Sequence, residues 1–335
     1  MNLVTGAAGH LGNVLVRELL GKGEEIRALV LPGEDTRSLE GLDIDIVEGD
    51  ILDQESINRA CGGMDIVFHL AALVSITEDK EHLLRLVNIE GTKNVIQAVQ
   101  QTGVKRLVYT SSIHALTRPP EGVTIDESLP FDPDNPAGAY DRSKAEASLV
   151  VLDAVKQGLD AVIVCPTGVV GPYDFRRSEM GEMILTWMRP RPSISMDGYF
   201  DFVDVRDVAQ GHILARDKGV CGETYIVGGE RVEISSVRQW VQSVVGIKTA
   251  EIKFSTPIAL LIAPLAEAYY RITKTKPRFT KYSIETLQSN SKISSRKAQK
   301  ELGYHQRKLS DSIKDTVNWW LSNIKKTKPA LRTSE

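Results

Sequence analysis

Cysteine is scarce in this chain: three residues, Cys61, Cys165 and Cys221, among 335. None stands at metal-ligand spacing, so neither a zinc site nor a disulfide framework is expected and no metal is assigned. The three read instead as reduced packing residues of a cytoplasmic protein. No apolar run approaches the ~20 residues that span a bilayer, which argues against an integral membrane segment. A strand pattern begins at Met1 itself, leaving no room for a basic-then-apolar leader. Acidic and basic residues nearly cancel, 44 against 41, so no surplus of positive charge draws the surface to nucleic acid. Repeats and low-complexity stretches are missing too. What remains is a chain long enough to bury a substantial core in one or two domains.

Short apolar runs alternate with helical patterns over the first two-thirds, the signature of parallel β-α-β units. Strands are expected at Met1–Thr5, Ile26–Val30, Ile44–Val47, Ile66–Leu70, Arg106–Thr110 and Ala161–Cys165. The first five are rich in Val, Ile and Leu, as where both sheet faces are covered. Helices are expected at Leu11–Leu20, Gln54–Ala60, Leu83–Gln101 and Ala137–Lys156. Crossovers of one hand give an α/β, doubly wound parallel sheet with ligands at the strands' carboxyl ends. After Gly171-Pro172 the rhythm breaks. Met180–Met188 and Val205–Arg216 read as helices and Glu223–Val227 as a strand, and from Glu230 the chain turns helical and loop-rich. The expected division is a dinucleotide-binding domain over 1–171, completed by about 204–229. A smaller, discontinuous substrate lobe takes 172–203 and 230–325, and 326–335 is a polar tail.

Thr5-Gly-Ala-Ala-Gly-His-Leu-Gly12 follows the first strand and opens a helix. Gly6, Gly9 and Gly12 permit a tight turn and a close approach of backbone to a pyrophosphate, while the helix start offers unpaired N–H groups. His10 and Leu11 lend backbone amides. At the end of the second strand, where a carboxylate would hold a ribose hydroxyl or an arginine a 2′-phosphate, stands Leu31-Pro32-Gly33. Asp35 or Arg37 could bend back to serve, and Arg37 tilts a nearly even choice toward NADP over NAD. Asp50-Ile51 follows the third strand, where Asp50 could accept from an adenine amino group or cap the next helix. Leu70-Ala71-Ala72 places small residues on the cofactor path, unless close packing explains them.

Carbonyl reduction needs a hydride donor and an acid for the developing alkoxide. A phenol of pKa ~10 exchanges poorly near neutrality unless an ammonium stabilises its anion. Tyr140 and Lys144 are four apart in a helical stretch and so share a face. Ser112 ends the fifth strand and can donate to the carbonyl oxygen. Tyr140, Lys144 and Ser112 are therefore the candidate catalytic residues, with Tyr140 as general acid/base and Lys144 available to a ribose.

With these motifs in hand, the chain resembles the extended short-chain dehydrogenases/reductases, the epimerase/dehydratase-like group with a Rossmann fold. The resemblance rests on Thr5–Gly12, Glu48-Gly-Asp50, His69-Leu-Ala-Ala72, Val87-Asn88, Gly91-Thr92, Tyr109-Thr-Ser-Ser112, Tyr140–Ala145, Phe202–Ala209 and the end from Glu301-Leu-Gly-Tyr304 through Trp319-Trp320. It implies that Ser112 is the active serine and Ser111 its neighbour, and that Asn88 orders the cofactor and active-site backbone. Pro166 falls on the cofactor side, and a homodimer is implied by analogy. Dihydroflavonol reductases and 3β-hydroxysteroid dehydrogenases look nearest. Where the sugar-nucleotide dehydratases carry an acidic pair, this chain has Ile113-His114-Ala115. Where epimerases place an Asn, it has Pro166-Thr167-Gly168-Val169. The implied activity is an NAD(P)-dependent interconversion of a ketone or aldehyde with an alcohol on a non-nucleotide small molecule. A nucleotide-sugar epimerase and a non-catalytic cofactor sensor are the alternatives.

On the substrate side, His114 could hydrogen-bond a substrate oxygen or face solvent. Ser75, Val170, Tyr173 and Met183 are candidate pocket walls, with plain packing the alternative for Tyr173 and Met183. Pro257–Pro264 is apolar and precedes Tyr269-Tyr270 and a basic stretch, Arg271 to Lys281. It reads as core helix of the second lobe with a solvated basic face; a greasy mouth or a weak membrane-surface contact is the other reading.

Overall fold

Side chains flip with every residue of a strand, and this alternation divides the core. In a computed structural model of the chain, which describes residues 1–75, 80–196, 198–273 and 280–324, Leu3, Val67, Leu107 and Ile163 pack into one apolar layer. Their neighbours Val4, Phe68, Val108 and Val164 pack into a second. The strands that carry them, with the elements between, are β1 (Asn2–Thr5), α1 (His10–Gly21), β2 (Ile26–Val30), β3 (Asp45–Glu48), α2 (Gln54–Cys61) and β4 (Ile66–His69). Then come α3 (Glu81–Arg85), α4 (Gly91–Thr102), β5 (Arg106–Thr110), α5 (Ala139–Lys156), β6 (Ala161–Pro166) and β7 (Gly168–Val170). The second half runs through α6 (Glu179–Trp187), β8 (Ser193–Met196), β9 (Tyr199–Asp204), α7 (Val205–Lys218), β10 (Thr224–Val227) and β11 (Glu230–Glu233). It ends with α8 (Ile234–Val245), β12 (Glu251–Phe254), α9 (Thr256–Thr273), α10 (Lys281–Gln288) and α11 (Leu309–Asn323).

Seven strands form one parallel sheet in the order β10-β6-β5-β4-β1-β2-β3. The chain reverses direction of travel across the sheet between β1 and β4, so their carboxyl ends diverge into a crevice suited to a dinucleotide. Two small sheets, β11-β9-β7 and β12-β8, lie outside it. A third apolar cluster, holding Trp187, Val237, Ile313 and Trp320, unites α6, α8 and α11.

Three expectations are corrected. β3 is an edge strand with Ile46 exposed, not a strand covered on both faces. Cys61 and Cys165 are buried but Cys221 is exposed, so only two of the three cysteines are core residues. Among the described side chains of α9, Ala259 and Ala263 are fully buried, against Ile284 and Phe254, while most of its large aliphatic residues face outward. The expected core helix is thus mostly surface. Among the described residues no helix is long and apolar enough to cross a membrane. The polar tail 326–335 and positions 274–279 of the basic stretch lie outside the described residues.

Candidate active site

The turn after β1 is built around missing side chains. Gly6 adopts φ +67°, and a Cβ there would lie 2.8 Å from the Ala71 amide nitrogen. A Cβ on Gly12 would lie 2.2 Å from the Gly6 carbonyl oxygen and 2.8 Å from Ala7 Cα. Both obstacles are backbone and cannot swing aside. Gly9 caps α1 with no side-chain hydrogen bond, leaving the first amides, including those of His10 and Leu11, at the mouth of the turn. This cradle of backbone amides at a helix N-terminus fits a dinucleotide pyrophosphate. Gly12→Ala is expected to raise the dinucleotide Kd by on the order of a hundredfold, about 3 kcal/mol, measured by titration calorimetry, with circular dichroism confirming that the fold persists.

A proton-ordered chain joins this cradle to α5. The Thr5 hydroxyl accepts from the Leu70 and Ala71 amides. Its own hydrogen therefore goes to His69 Nδ1, 2.8 Å away. His69 must then carry its proton on Nε2 and donate to Thr92 Oγ1 at 3.1 Å, and Thr92 donates to the Asn88 carbonyl at 2.7 Å. Burial pushes His69 down to about 3, keeping it neutral. Asn88 sits in a π-helical turn, Leu86–Glu90, which sets α3 off from α4. Its amide brackets Leu73, accepting from the nitrogen at 2.8 Å and donating to the oxygen at 3.0 Å, and also donates to Ser143 Oγ at 3.0 Å. Ser143 in turn donates to the Tyr140 carbonyl at 2.8 Å. His69 was quoted in sequence only as part of a motif; its burial and two hydroxyl partners become visible in three dimensions.

Ser112 and Tyr140 come together. Ser112 is buried just past β5, its hydroxyl accepting from the His114 amide at 3.2 Å, and burial pushes the Tyr140 phenol up to about 12 while the interaction with Ser112 draws it down. Ser111 is occupied elsewhere, 2.6 Å from Ser148 Oγ. Lys144 departs from the expected pairing with the phenol. Its ammonium donates to Tyr109 Oη at 3.0 Å and the Thr110 carbonyl at 2.6 Å, and lies 4.6 Å from the Tyr109 ring centre. Burial pushes this amine down to about 7. The cause is local: a buried ammonium takes the nearest acceptors, here at the carboxyl end of β5.

A second group of side chains stands beside the phenol. Asp141, fully buried, accepts from Arg118 at 2.7 Å and from the Tyr282 hydroxyl at 3.0 Å. Tyr282 belongs to α10, a hundred and more residues from α5, and its ring lies against Gly138, where a Cβ would be 3.1 Å away. Arg118 also donates to His114 Nδ1 at 3.1 Å. A guanidinium cannot accept, so Nδ1 is the unprotonated nitrogen and Nε2 bears the hydrogen. Desolvation lowers His114 further, so it stays neutral. Its ring stacks on Phe200 at 5.9 Å and tilts against Tyr282 at 6.4 Å. His114 thus becomes a donor of fixed tautomer. Arg118, Asp141, Phe200 and Tyr282 escaped sequence reading because nothing local links four distant segments.

Other candidates are placed as follows. Asp50 accepts from the Leu52 amide at 2.9 Å, while Asp53 is the residue that caps α2. Ile51 is buried under Gly91. Leu70 and Ala71 lie at the end of β4 against the glycine turn and Ala72 is exposed. Pro166 ends β6, buried. Arg37 is paired with Asp35, 2.9 Å and 3.0 Å from Nε to the two carboxylate oxygens. The His10 ring bonds the Pro172 carbonyl at 3.0 Å. Tyr173, at φ +67°, lies under Arg17 at 4.9 Å and beside Trp319 at 6.0 Å. With Arg17 and Trp319 it lines a surface pocket of about 420 Å³. Val170 and Met183 pack into the second-lobe core, and Ser75 closes the described part of the loop after β4.

With this geometry in view, comparison with known proteins is informative. The family model described as the NAD dependent epimerase/dehydratase family matches residues 2–228. The chain is 38% identical over 323 residues to sterol demethylase protein B of Methylococcus capsulatus, covering 95% of this chain and 97% of that protein. It is 30% identical to 3beta-hydroxysteroid-dehydrogenase/decarboxylase isoform 1 of Arabidopsis thaliana, covering 94% of this chain and 78% of that one. The crystal structure of gox2253 superposes with a TM-score of 0.83 at 32% identity, covering 96% of this chain and 98% of the other.

Proposed function

The chain belongs to the NAD-dependent epimerase/dehydratase family, as an NAD-dependent enzyme of the extended short-chain dehydrogenase/reductase type, and from that premise we propose that it interconverts a ketone or aldehyde and an alcohol on a lipophilic, non-nucleotide small molecule in the cytoplasm. What supports this reading most directly is the placing of buried Ser112, just past β5, with Tyr140 at the start of α5, behind the glycine cradle. The glycine cradle and the crevice between β1 and β4 would hold the dinucleotide, and a bound nicotinamide supplies or accepts the hydride. In the reducing direction the Tyr140 hydroxyl gives its proton to the substrate oxygen while Ser112 donates a hydrogen bond to the same atom. Lys144, when protonated, favours the resulting phenolate electrostatically. His114 Nε2–H is a further donor for a substrate oxygen.

The apolar residues on either side of His114, Ile113 and Ala115, are both buried. They put no carboxylate beside Ser112, which favours redox chemistry over elimination. The lipophilic class draws support from the two relatives whose names refer to sterols. A panel of ketosteroids, hydroxysteroids and simple ketones, run with NADH, NADPH and their oxidised forms, tests the proposal through nicotinamide absorbance. Turnover of the sterol-like ketones is expected. Tight binding and epimerisation of a nucleotide sugar instead would overturn it.

Between the two cofactors, Arg37 supports NADP, but Asp35 shares its charge and holds the two preferences close. Arg37→Ala is expected to raise KM for NADPH by about tenfold while leaving KM for NADH within about twofold, since the loss of one charge-assisted contact amounts to about 1.5 kcal/mol when Asp35 already shares the charge. Parallel steady-state titrations with the two cofactors read this out.

A further inference from the structure

A neutral histidine beside a buried carboxylate ordinarily turns its N–H toward that carboxylate and leaves the far nitrogen bare. His114 stands beside one: its Nδ1 lies 3.7 Å from Asp141 Oδ1, and Asp141 is fully buried. Arg118 reverses the arrangement. Its Nη2 donates one hydrogen to Asp141 Oδ1 at 2.7 Å and the other to His114 Nδ1 at 3.1 Å. The guanidinium thus replaces the proton that Nδ1 would have sent to the carboxylate, and the imidazole hydrogen is moved to Nε2. That hydrogen meets no acceptor among the described residues, and the side chain stays 20% exposed. The rest of the residue is held fast. Its amide is bound by Ser112 Oγ, and its carbonyl accepts from the fully buried Asn135 at 3.3 Å. Tyr282 takes the other oxygen of Asp141, so the carboxylate is not free to turn.

We infer that Arg118 and Asp141 are positioning residues that make His114 a donor only, and that His114 meets an acceptor oxygen of the substrate other than the one being reduced. The reacting oxygen has its two donors in Ser112 and Tyr140. A third donor, tied to Ser112 through its own amide, is left for a second oxygen. A carbonyl or ether oxygen accepts from Nε2–H directly, whereas an amine or ammonium offers no match to a donor of fixed tautomer. The rings of Phe200 and Tyr282, 5.9 Å and 6.4 Å from the imidazole, give the rest of such a molecule an apolar wall. The substrate class narrows to lipophilic ketones with a second acceptor oxygen, such as keto esters and diketones. Which oxygen His114 meets rests on the reductase reading; where the imidazole proton sits does not.

Nitrogen-15 spectra of the full chain labelled at histidine, with His114→Gln identifying the His114 signals, locate that proton without any turnover. Failure here and failure of the reductase reading are therefore separable. In the wild type Nε2 should carry the hydrogen and Nδ1 none. Arg118→Met, which leaves Asp141 in place, should put a proton on Nδ1, as the other neutral tautomer or as imidazolium. Tyr282→Phe loosens the same cluster but keeps Arg118, so Nδ1 should stay bare; a merely structural role would move both variants alike. Because Arg118→Met strands a buried carboxylate, the wild-type spectrum and the substrate ratio decide by themselves if that variant does not fold. That ratio compares kcat/KM for a long-chain keto ester with the ketone of equal length lacking the ester. The wild type should favour the keto ester, His114→Phe should lower the ratio about three- to tenfold, and His114→Gln, which keeps a donor, should restore part of it. A wild-type proton on Nδ1, a folded Arg118→Met with Nδ1 still bare, or a ratio that His114→Phe leaves unmoved overturns the inference.

Discussion

Tyr140→Phe is expected to lower turnover by roughly 100- to 10,000-fold while dinucleotide affinity, read by fluorescence titration, stays within about twofold. The reason is the placing of one hydroxyl. The ring fills its half-buried place at the start of α5 in either residue, so the loss is confined to the hydroxyl oxygen. Ser112 remains as a donor to the substrate oxygen but has no proton source of its own. Single-turnover absorbance with pre-bound cofactor separates the outcomes. A rate within threefold of the unsubstituted enzyme would remove Tyr140 from the chemistry.

Lys144→Met is expected to act on rate and on stability, with opposite signs at low pH. Burial holds the folded amine near 7, whereas its ordinary value is 10.5. Between those values unfolding takes up a proton, so stability rises with pH across the window and the full cost is felt below it. That cost is on the order of 4–5 kcal/mol. The methionine escapes it but deprives the Thr110 carbonyl and the Tyr109 hydroxyl of a donor, a loss of about 1–3 kcal/mol. Denaturant melts should show the variant more stable than the parent at pH 6 and less stable at pH 10. In kinetics kcat/KM for ketone reduction should fall as pH rises through about 7, where the ammonium is lost, and the variant should be slow with no step there. A parent profile flat from pH 6 to 9 would show that the charge on Lys144 plays no part.

The sheet was legible because its signals are local. β2 and β5 begin and end where the apolar runs do, and β1, β4 and β6 differ from them by one residue. The glycine turn was legible for the same reason: Gly9 and Gly12 are demanded by backbone within the turn and Gly6 by its left-handed φ of +67°, although the Ala71 backbone that also crowds Gly6 comes from a distant strand end. The stretch Leu83–Gln101 was read as one helix, yet a π turn interrupts it at Asn88; one extra residue in a turn leaves an apolar period almost unchanged. β7, β8, β9, β11 and β12 went unread. They are three to six residues long, and their partners, such as Ser193–Met196 with Glu251–Phe254, are brought together only by the tertiary fold. Lys144 could be named from its spacing to Tyr140, but not its attachment to Tyr109, because rotamer choice in a buried site answers to acceptors that sequence order does not reveal. α9 misled because apolar content normally predicts burial, and the residues that pack inward there are alanines.

The dinucleotide half of the molecule is not severable. Leu302 and Tyr304, from near the C-terminus, complete the apolar layer beneath α7. The Tyr304 hydroxyl donates to the Gly228 carbonyl at 2.8 Å, and Arg307 binds Asp207 through its side chain at 2.8 Å. A fragment ended at residue 228 would expose that layer and strand Asp207 without its cation. Recombinant truncation at the family boundary should therefore yield insoluble or protease-sensitive material, and limited digestion of the intact protein should release no durable amino-terminal piece.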